Sequence, residues 1–321
     1  MPTHMEDERG AAHVIEGKGL SDSILQNIRA RLEGLELRPC LAVVTVGQRR
    51  DGVSFVRSKM REAAVCGVDV RVKTFPATIS ENDLLEQVAL LNSDPSVDGI
   101  LLALPLPSHL HELTISQAVS DEKDVDCLNK QNLGLLAIPQ ATPLFVPCTA
   151  VSVVRILESM GVKVKGKVVC VVGASANVGL PLLLLLVRMG ATVTVCHVHT
   201  RDLVKHTLAA DIIVSAAGVA NLIQSQHVRD NEVIVIDVGI NFVEDKTKST
   251  GFRLTGDVDF ETVKHKCGAI TPVPGGVGVV TSAVVLEATA EAFLRFRAKR
   301  RNTGGTESRP KLELVYPQNS K

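Results

Sequence analysis

At 321 residues the chain exceeds one average domain, and 45% hydrophobic with 22% charged residues excludes disorder over most of its length. Lys+Arg 35 against Asp+Glu 35 gives zero formal charge, which excludes the broad basic surface of a nucleic-acid binder. The single Tyr, Tyr316, lies in a polar tail, so the folded body is expected to lack a phenolic hydroxyl.

The seven Cys are odd in number, form no CxxC pair and sit in apolar runs such as Val168–Val172, so they read as small buried thiols in a reducing compartment. The longest apolar stretch, around Leu180 to Val187, is too short to cross a bilayer. Glu6, Asp7 and Glu8 suit neither a transit peptide nor a secretory signal. The cytosol is the default location, with no membrane partner.

In chain order, Ser21 opens a helix over 21–37 with Ile24, Ile28, Leu32 and Leu35 on its apolar face. A buried strand follows at 41–46, a helix at 53–65, a strand at 68–74, a helix at 81–93 and a strand at 99–104 closed by Pro105 and Pro107. After Pro147 the alternation restarts: helix 149–160, strand 167–172, helix 178–189, strand 191–196, strands 212–215 and 233–237, and a last helix from about Ser282 to Arg297. Alternation of this kind predicts an α/β fold of two lobes with parallel sheets covered on both faces. The junction falls near 147–165, and 299–321 reads as a mobile tail.

Gly173-Ala174-Ser175-Ala176-Asn177-Val178-Gly179 lies between an apolar strand and an apolar helix. Backbone N–H groups in such a turn can hold a pyrophosphate. The spacing departs from GxGxxG: Ser175 takes the place of the second glycine and the last glycine comes one residue later. Taken alone, the turn fits either a structural or a nucleotide-binding role. The next strand ends in Cys196-His197-Val198-His199-Thr200-Arg201. It offers no acid for the ribose of NAD, and Arg201 is its one permanent cation.

Several segments together resemble the methylenetetrahydrofolate dehydrogenase/cyclohydrolase family. They are Ser54–Lys59, Gly99–Pro107 (GILLALPLP), Lys123-Asp124-Val125-Asp126, Pro147-Cys148-Thr149, the Gly173–Pro181 turn, Ile236–Asn241, Gly256–Phe260 and Thr271–Gly278. The resemblance runs from about residue 12 to 297. It implies a folate-binding catalytic domain over 1–147, completed by a C-terminal helix at 282–298, facing a Rossmann-like NAD(P)-binding domain over 148–281. It further implies a homodimer that takes a tetrahydrofolate derivative with NAD or NADP and needs no metal.

Residue by residue, the resemblance makes Lys59 the catalytic proton carrier. A lysine in a partly desolvated cleft loses basicity and can exchange protons. It places Phe55, Leu102, Ala103, Leu104, Asp126, Pro274, Gly275 and Gly276 at the folate, with Asp126 accepting from the pterin's amino edge. It places Gly173, Ala174, Ser175, Gly179, His197, Val198 and Ile240 at the dinucleotide, with Ile240 against the nicotinamide. The chain departs from the family pattern where Phe55 replaces a Tyr, Ala103 a Gln, Ala174 an Arg and Val198 a Ser. All four changes replace a polar residue with an apolar one, while the scaffold motifs stay. The reading carried forward is oxidation of 5,10-methylenetetrahydrofolate to the methenyl form, with hydrolysis to 10-formyltetrahydrofolate weakened. The competing reading is an impaired paralogue that binds folate or nucleotide as a regulatory subunit.

Overall fold

Short runs rich in β-branched residues pair side by side when both faces are covered, and this rule accounts for most of the sheet structure. The computed structural model describes residues 12–47, 60–248 and 251–298. In chain order the strands are β1 (His13–Val14), β2 (Cys40–Val46), β3 (Asp69–Phe75), β4 (Gly99–Leu102), β5 (Val168–Val172) and β6 (Thr192–Cys196). They continue with β7 (Ile212–Ser215), β8 (Ile234–Asp237), β9 (Asn241–Glu244), β10 (Phe252–Thr255) and β11 (Ala269–Ile270). The chain divides into two units: residues up to Lys18 with Val153–Val279, and Gly19–Ser152 with residues from Val280 onward.

In the second unit β2 is central in a parallel sheet ordered β3-β2-β4, with Leu41 opposite both Val70 and Gly99. The helix Glu81–Ser93 packs Leu84, Val88 and Leu91 onto this sheet beside Ala42, Val44 and Ile100. Ser80 caps its start, its Oγ accepting from Asp83 N at 3.1 Å. At its far end Lys123 Nζ donates to the carbonyls of Leu91 and Asp94 at 2.9 and 2.7 Å, satisfying groups the helix leaves open.

The last helix, Val277–Ala292, starts five residues earlier than the sequence predicts and continues as a π-helical turn, Phe293–Ala298. It corrects the reading of the longest apolar stretch. Val277–Arg297 is long and apolar enough to cross a membrane, and 61% of its most apolar stretch is buried inside the protein. Apolarity on all sides marks a core helix here. Its end is tied down within the second unit. Arg297 lies 3.2 Å from Asp98, donates to the carbonyls of Ser96 and Arg38, and covers the Phe293 ring. Burial pushes the Asp98 carboxyl up to about 6, against the pull of Arg297 and the Cys40 N–H.

The first unit holds a six-stranded sheet, β1-β11-β8-β7-β5-β6, parallel at every pairing, and a separate antiparallel β9–β10 hairpin. Its core includes Cys170, Val172, Ile213, Val235 and Ile270. All seven cysteines are buried and free. Cys170 and Cys196 sit with Sγ atoms 3.8 Å apart, and burial raises both thiols.

Two further expectations differ from the structure, and a third lies partly outside the described residues. Residues 12–18, assigned with the rest of 1–147 to the first lobe, carry β1 and pair with β11 in the six-stranded sheet. Two residues are too few to show a strand period. The first helix runs Lys18–Leu32, so Ser21 is buried inside it rather than at its cap. It stops before Gly34, whose φ of +77° a helix cannot continue. The helix expected at 53–65 is described from residue 60, where residues 60–66 are helical.

Gly99 opens β4 where a Cβ would meet Val125 Cγ1 at 2.8 Å and Thr289 Oγ1 at 3.1 Å. Gly99→Ala is therefore expected to cost about 1–3 kcal/mol through overpacking, read as a lowered Tm in thermal unfolding. An unchanged Tm would show that the Val125 and Thr289 side chains give way freely.

Candidate functional site

In the second unit, the carboxyl end of β4 carries three of the residues expected at the folate, Leu102, Ala103 and Leu104. Ala103 follows the strand directly and is held by its N–H donating to Val44 O at 2.9 Å. Its side chain is half-buried. Leu102 is 4% exposed and packs its side chain in the apolar core. Leu104 is half-buried and leans on the same core. Phe55 and Lys59 lie outside the described residues.

The Lys123–Asp126 segment separates into roles. Lys123 caps a helix, as above. Asp124 is 2% exposed and accepts from the N–H groups of Leu128 and Asn129 at 2.9 and 3.0 Å, with its carboxyl raised by burial. Val125 is fully buried, its carbonyl accepting from the Cys148 thiol at 3.2 Å. These three anchor the loop, and the half-buried Asp126 follows them.

In the other unit, strand order places β5 beside both β6 and β7, so the chain reverses direction across the sheet between β5 and β7. Ligands of open parallel sheets bind outside the carboxyl ends of strands at such a point. Gly173, at φ +121°, leaves β5 here, and a Cβ on it would run into the carbonyl of Ala216 after β7. A Cβ on Gly179 would run into the carbonyl of Gly173. Both glycines are required by close backbone approach, and the loop between them stays open to a backbone-bound anion. Ser175 is exposed, and its Oγ accepts from Val178 N at 3.2 Å, closing the turn before the helix Gly179–Arg188. The half-buried Ala174 precedes it.

Beyond β6, His197 N donates to Thr200 Oγ1 at 2.8 Å, and His197 Nδ1 accepts from His199 N at 3.1 Å. The two imidazoles meet edge to face at 5.8 Å. This turn leaves Val198 at its tip, 91% exposed. Ile240, in the loop after β8, is 58% exposed. Pro274, Gly275 and Gly276, predicted at the folate, belong to this same unit. Gly275 has φ +111°, and a Cβ on Gly276 would press on Pro272 O at 2.6 Å.

Ile236–Asn241 and Gly256–Phe260 carry the family resemblance, and within them the sequence assigns a role to Ile240 alone. The structure shows two buried carboxylates. Asp237 accepts from the N–H groups of Gly239, Asp257 and Val258 at 2.9–3.0 Å. Asp257 accepts from Ser215 Oγ, the N–H groups of Ala217, Gly218 and Val219, and Asn241 Nδ2. A Cβ on Gly256 would strike the Asp237 carboxylate, and one on Gly239 the Asp257 carboxylate. An Asp whose neighbouring motif is rich in Gly was the available signal.

Residues 15–126 match the catalytic domain of tetrahydrofolate dehydrogenase/cyclohydrolase, and residues 147–297 match its NAD(P)-binding domain. The chain belongs to this family. It is 42% identical over 288 residues to the bifunctional protein FolD 2 of Arabidopsis thaliana, covering 88% of this chain and 96% of that one. The methylenetetrahydrofolate dehydrogenase-cyclohydrolase of Trypanosoma brucei, solved with NADP and an inhibitor, superposes with a TM-score of 0.86 at 37% identity. That match covers 89% of this chain and 98% of the other. The chain is also 41% identical, over 85% of its length, to the mitochondrial C-1-tetrahydrofolate synthase of Saccharomyces cerevisiae, of which it spans 28%.

Burial pushes the Asp237 carboxyl up to about 7, with the Asp257 charge adding to the rise and three N–H donors opposing it. The folded protein thus retains a proton that the unfolded chain has lost between about pH 4 and 7, so stability falls as pH rises through that window. The Tm is expected to decline from about pH 5 to about pH 8, and the decline to flatten in Asp237→Asn. A slope unaltered in that variant would assign the effect to other groups.

Proposed function

We propose that this chain oxidises 5,10-methylenetetrahydrofolate to 5,10-methenyltetrahydrofolate with NAD(P), and that its hydrolysis of the product to 10-formyltetrahydrofolate is weak. The observation that carries the first part is the glycine cradle at the carboxyl edge of a parallel sheet, in a chain that matches bifunctional relatives over nearly their full length. What supports the second is the pair Phe55 and Ala103, which stand where the family pattern has Tyr and Gln.

The residues present fit a dinucleotide. Gly173 and Gly179 keep side chains out of the cradle, and a pyrophosphate would meet the backbone of the loop between them, where Ser175 Oγ already takes the Val178 N–H. Val198 would lie at the ribose and Ile240 against the nicotinamide. Bound NAD(P) supplies the hydride acceptor. The protein's part in that step is orientation, which needs no titrating group and survives the four apolar replacements. Hydrolysis differs, because it needs protons moved at the one-carbon bridge. Lys59 would hold and pass that proton, while Phe55 stacks on the pterin without a hydroxyl to offer and Ala103 leaves the lysine and water unoriented. Asp126 would fix the pterin through its amino edge.

A 2′-phosphate here would meet Ala174 and Val198 instead of a cation and a hydroxyl, losing water for little return. NAD is expected to bind better than NADP, by a modest margin because no acid ends β6. The homodimer that the resemblance implies belongs to this reading, and sedimentation of the purified protein tests it.

The decisive experiment follows methylenetetrahydrofolate oxidation with NAD and NADP in parallel, then hydrolysis of authentic methenyltetrahydrofolate. Oxidation with either cofactor and slow hydrolysis support the proposal; no turnover with either sinks it. Proton transfer by a positioned group is worth about 10²–10⁴ in rate, so Lys59→Met is expected to abolish residual hydrolysis at unchanged Tm. Restoring Ala103→Gln together with Phe55→Tyr should raise hydrolysis more than the two single changes combined, since the groups would form one network. Simple additivity would show that the site has diverged beyond these positions.

A further inference from the structure

Exposed apolar side chains follow four adjacent strands of the six-stranded sheet: Val198 after β6, Val219 after β7, Ile240 after β8, and Leu180 in the first turn of the helix that follows β5. Large apolar groups in solvent at a parallel sheet's carboxyl edge are arranged for a ligand with flat apolar faces. Two of the four are placed by a single group. One oxygen of Asp257 accepts from Ser215 Oγ, Ala217 N and Gly218 N at 3.2, 2.6 and 3.1 Å. The other accepts from Val219 N at 3.0 Å and from Asn241 Nδ2 at 2.9 Å. Three consecutive N–H groups converging on a carboxylate form an anion nest filled from within the protein. The same carboxylate therefore sets the backbone under Val219 and, through Asn241, the residue next to Ile240.

Asp257 is itself held. It is fully buried, its N–H donates to Asp237 Oδ1 at 3.0 Å, and its carbonyl accepts from Ile223 N at 3.0 Å. The carboxylate thus joins two loops that share no strand pairing beyond β7 and β8, from a rigid position behind both.

We propose that Asp257 is a positioning residue for dinucleotide binding: its carboxylate spaces the loops after β7 and β8 so that Val219 and Ile240 flank the ring systems of the bound cofactor. The inference rests on the NAD(P)-dependent reading above. Neither Val219 nor Asp257 touches reacting atoms in it. Their effect falls on affinity.

The test uses the full chain. Asp257→Asn keeps the shape but turns an amide N–H₂ toward N–H donors, and Asn241→Ala removes only the tie to the second loop. Dissociation constants for NAD and NADP are measured by calorimetry, with KM and kcat for methylenetetrahydrofolate oxidation and a thermal melt for each variant. Asp257→Asn is expected to raise the Kd and KM for the dinucleotide at least about tenfold, as misplaced binding groups do, and more than it lowers kcat. Asn241→Ala should shift the same constants by less with its Tm near that of the wild type, and it decides the matter if Asp257→Asn does not fold. Variants that fold and bind with wild-type Kd, or that lose Tm alone, overturn the inference. Wild-type protein that binds no dinucleotide overturns the functional reading and this inference with it.

Discussion

Loops that leave the carboxyl edge of a parallel sheet carry N–H groups that the ladder no longer pairs, and burying such groups unpaired costs on the order of 1–3 kcal/mol each. In the nucleotide unit two buried carboxylates answer this constraint. Asp237 and Asp257 between them receive six backbone N–H groups from the segments after β7, β8 and β10. The glycines beside them follow from this, since Gly239 and Gly256 give the carboxylates their space. The cradle of Gly173 and Gly179 depends on the same edge, because the carbonyl against which Gly173 packs belongs to Ala216, one residue before the first N–H that Asp257 holds.

The catalytic unit solves the same problem with different chemistry. Lys123 and Asp124 occupy the carbonyl and N–H groups that helix ends leave open, and Val125 fills the space that Gly99 leaves. Three members of a four-residue motif are thereby consumed by folding. Asp126 is the member whose position they determine. Arg297 does comparable work at the far end of the chain, pinning the last helix through Asp98 and two carbonyls.

Against this scaffold the apolar replacements stand out. Phe55, Ala103, Ala174 and Val198 are apolar where the family resemblance implies hydroxyl, amide and guanidinium groups, while Gly173, Gly179, Gly239 and Gly256 shape the nucleotide edge with Asp237 and Asp257. In the proposed reading the backbone geometry serves the step that needs orientation, and the missing polar partners weaken the step that needs proton transfer.

Composition and periodicity determined the α/β class, the buried thiols and the strands from β2 to β8, because runs of four to seven apolar, β-branched residues carry their own signal. The glycine turn and the family motifs were equally legible. The two-residue strands β1 and β11, and the short helices Glu112–Ala118, Lys130–Ala137 and Leu203–Leu208, were not, since so few residues span no full period. Only the tertiary structure decided that His13 and Val14 join the six-stranded sheet, that the Leu102 side chain is core, and that Asp237 and Asp257 hold loops. The reason is common to all three. Strand pairing, burial and the convergence of N–H groups on a carboxylate join residues 20 to more than 250 positions apart, and a local pattern along the chain contains no record of such a meeting.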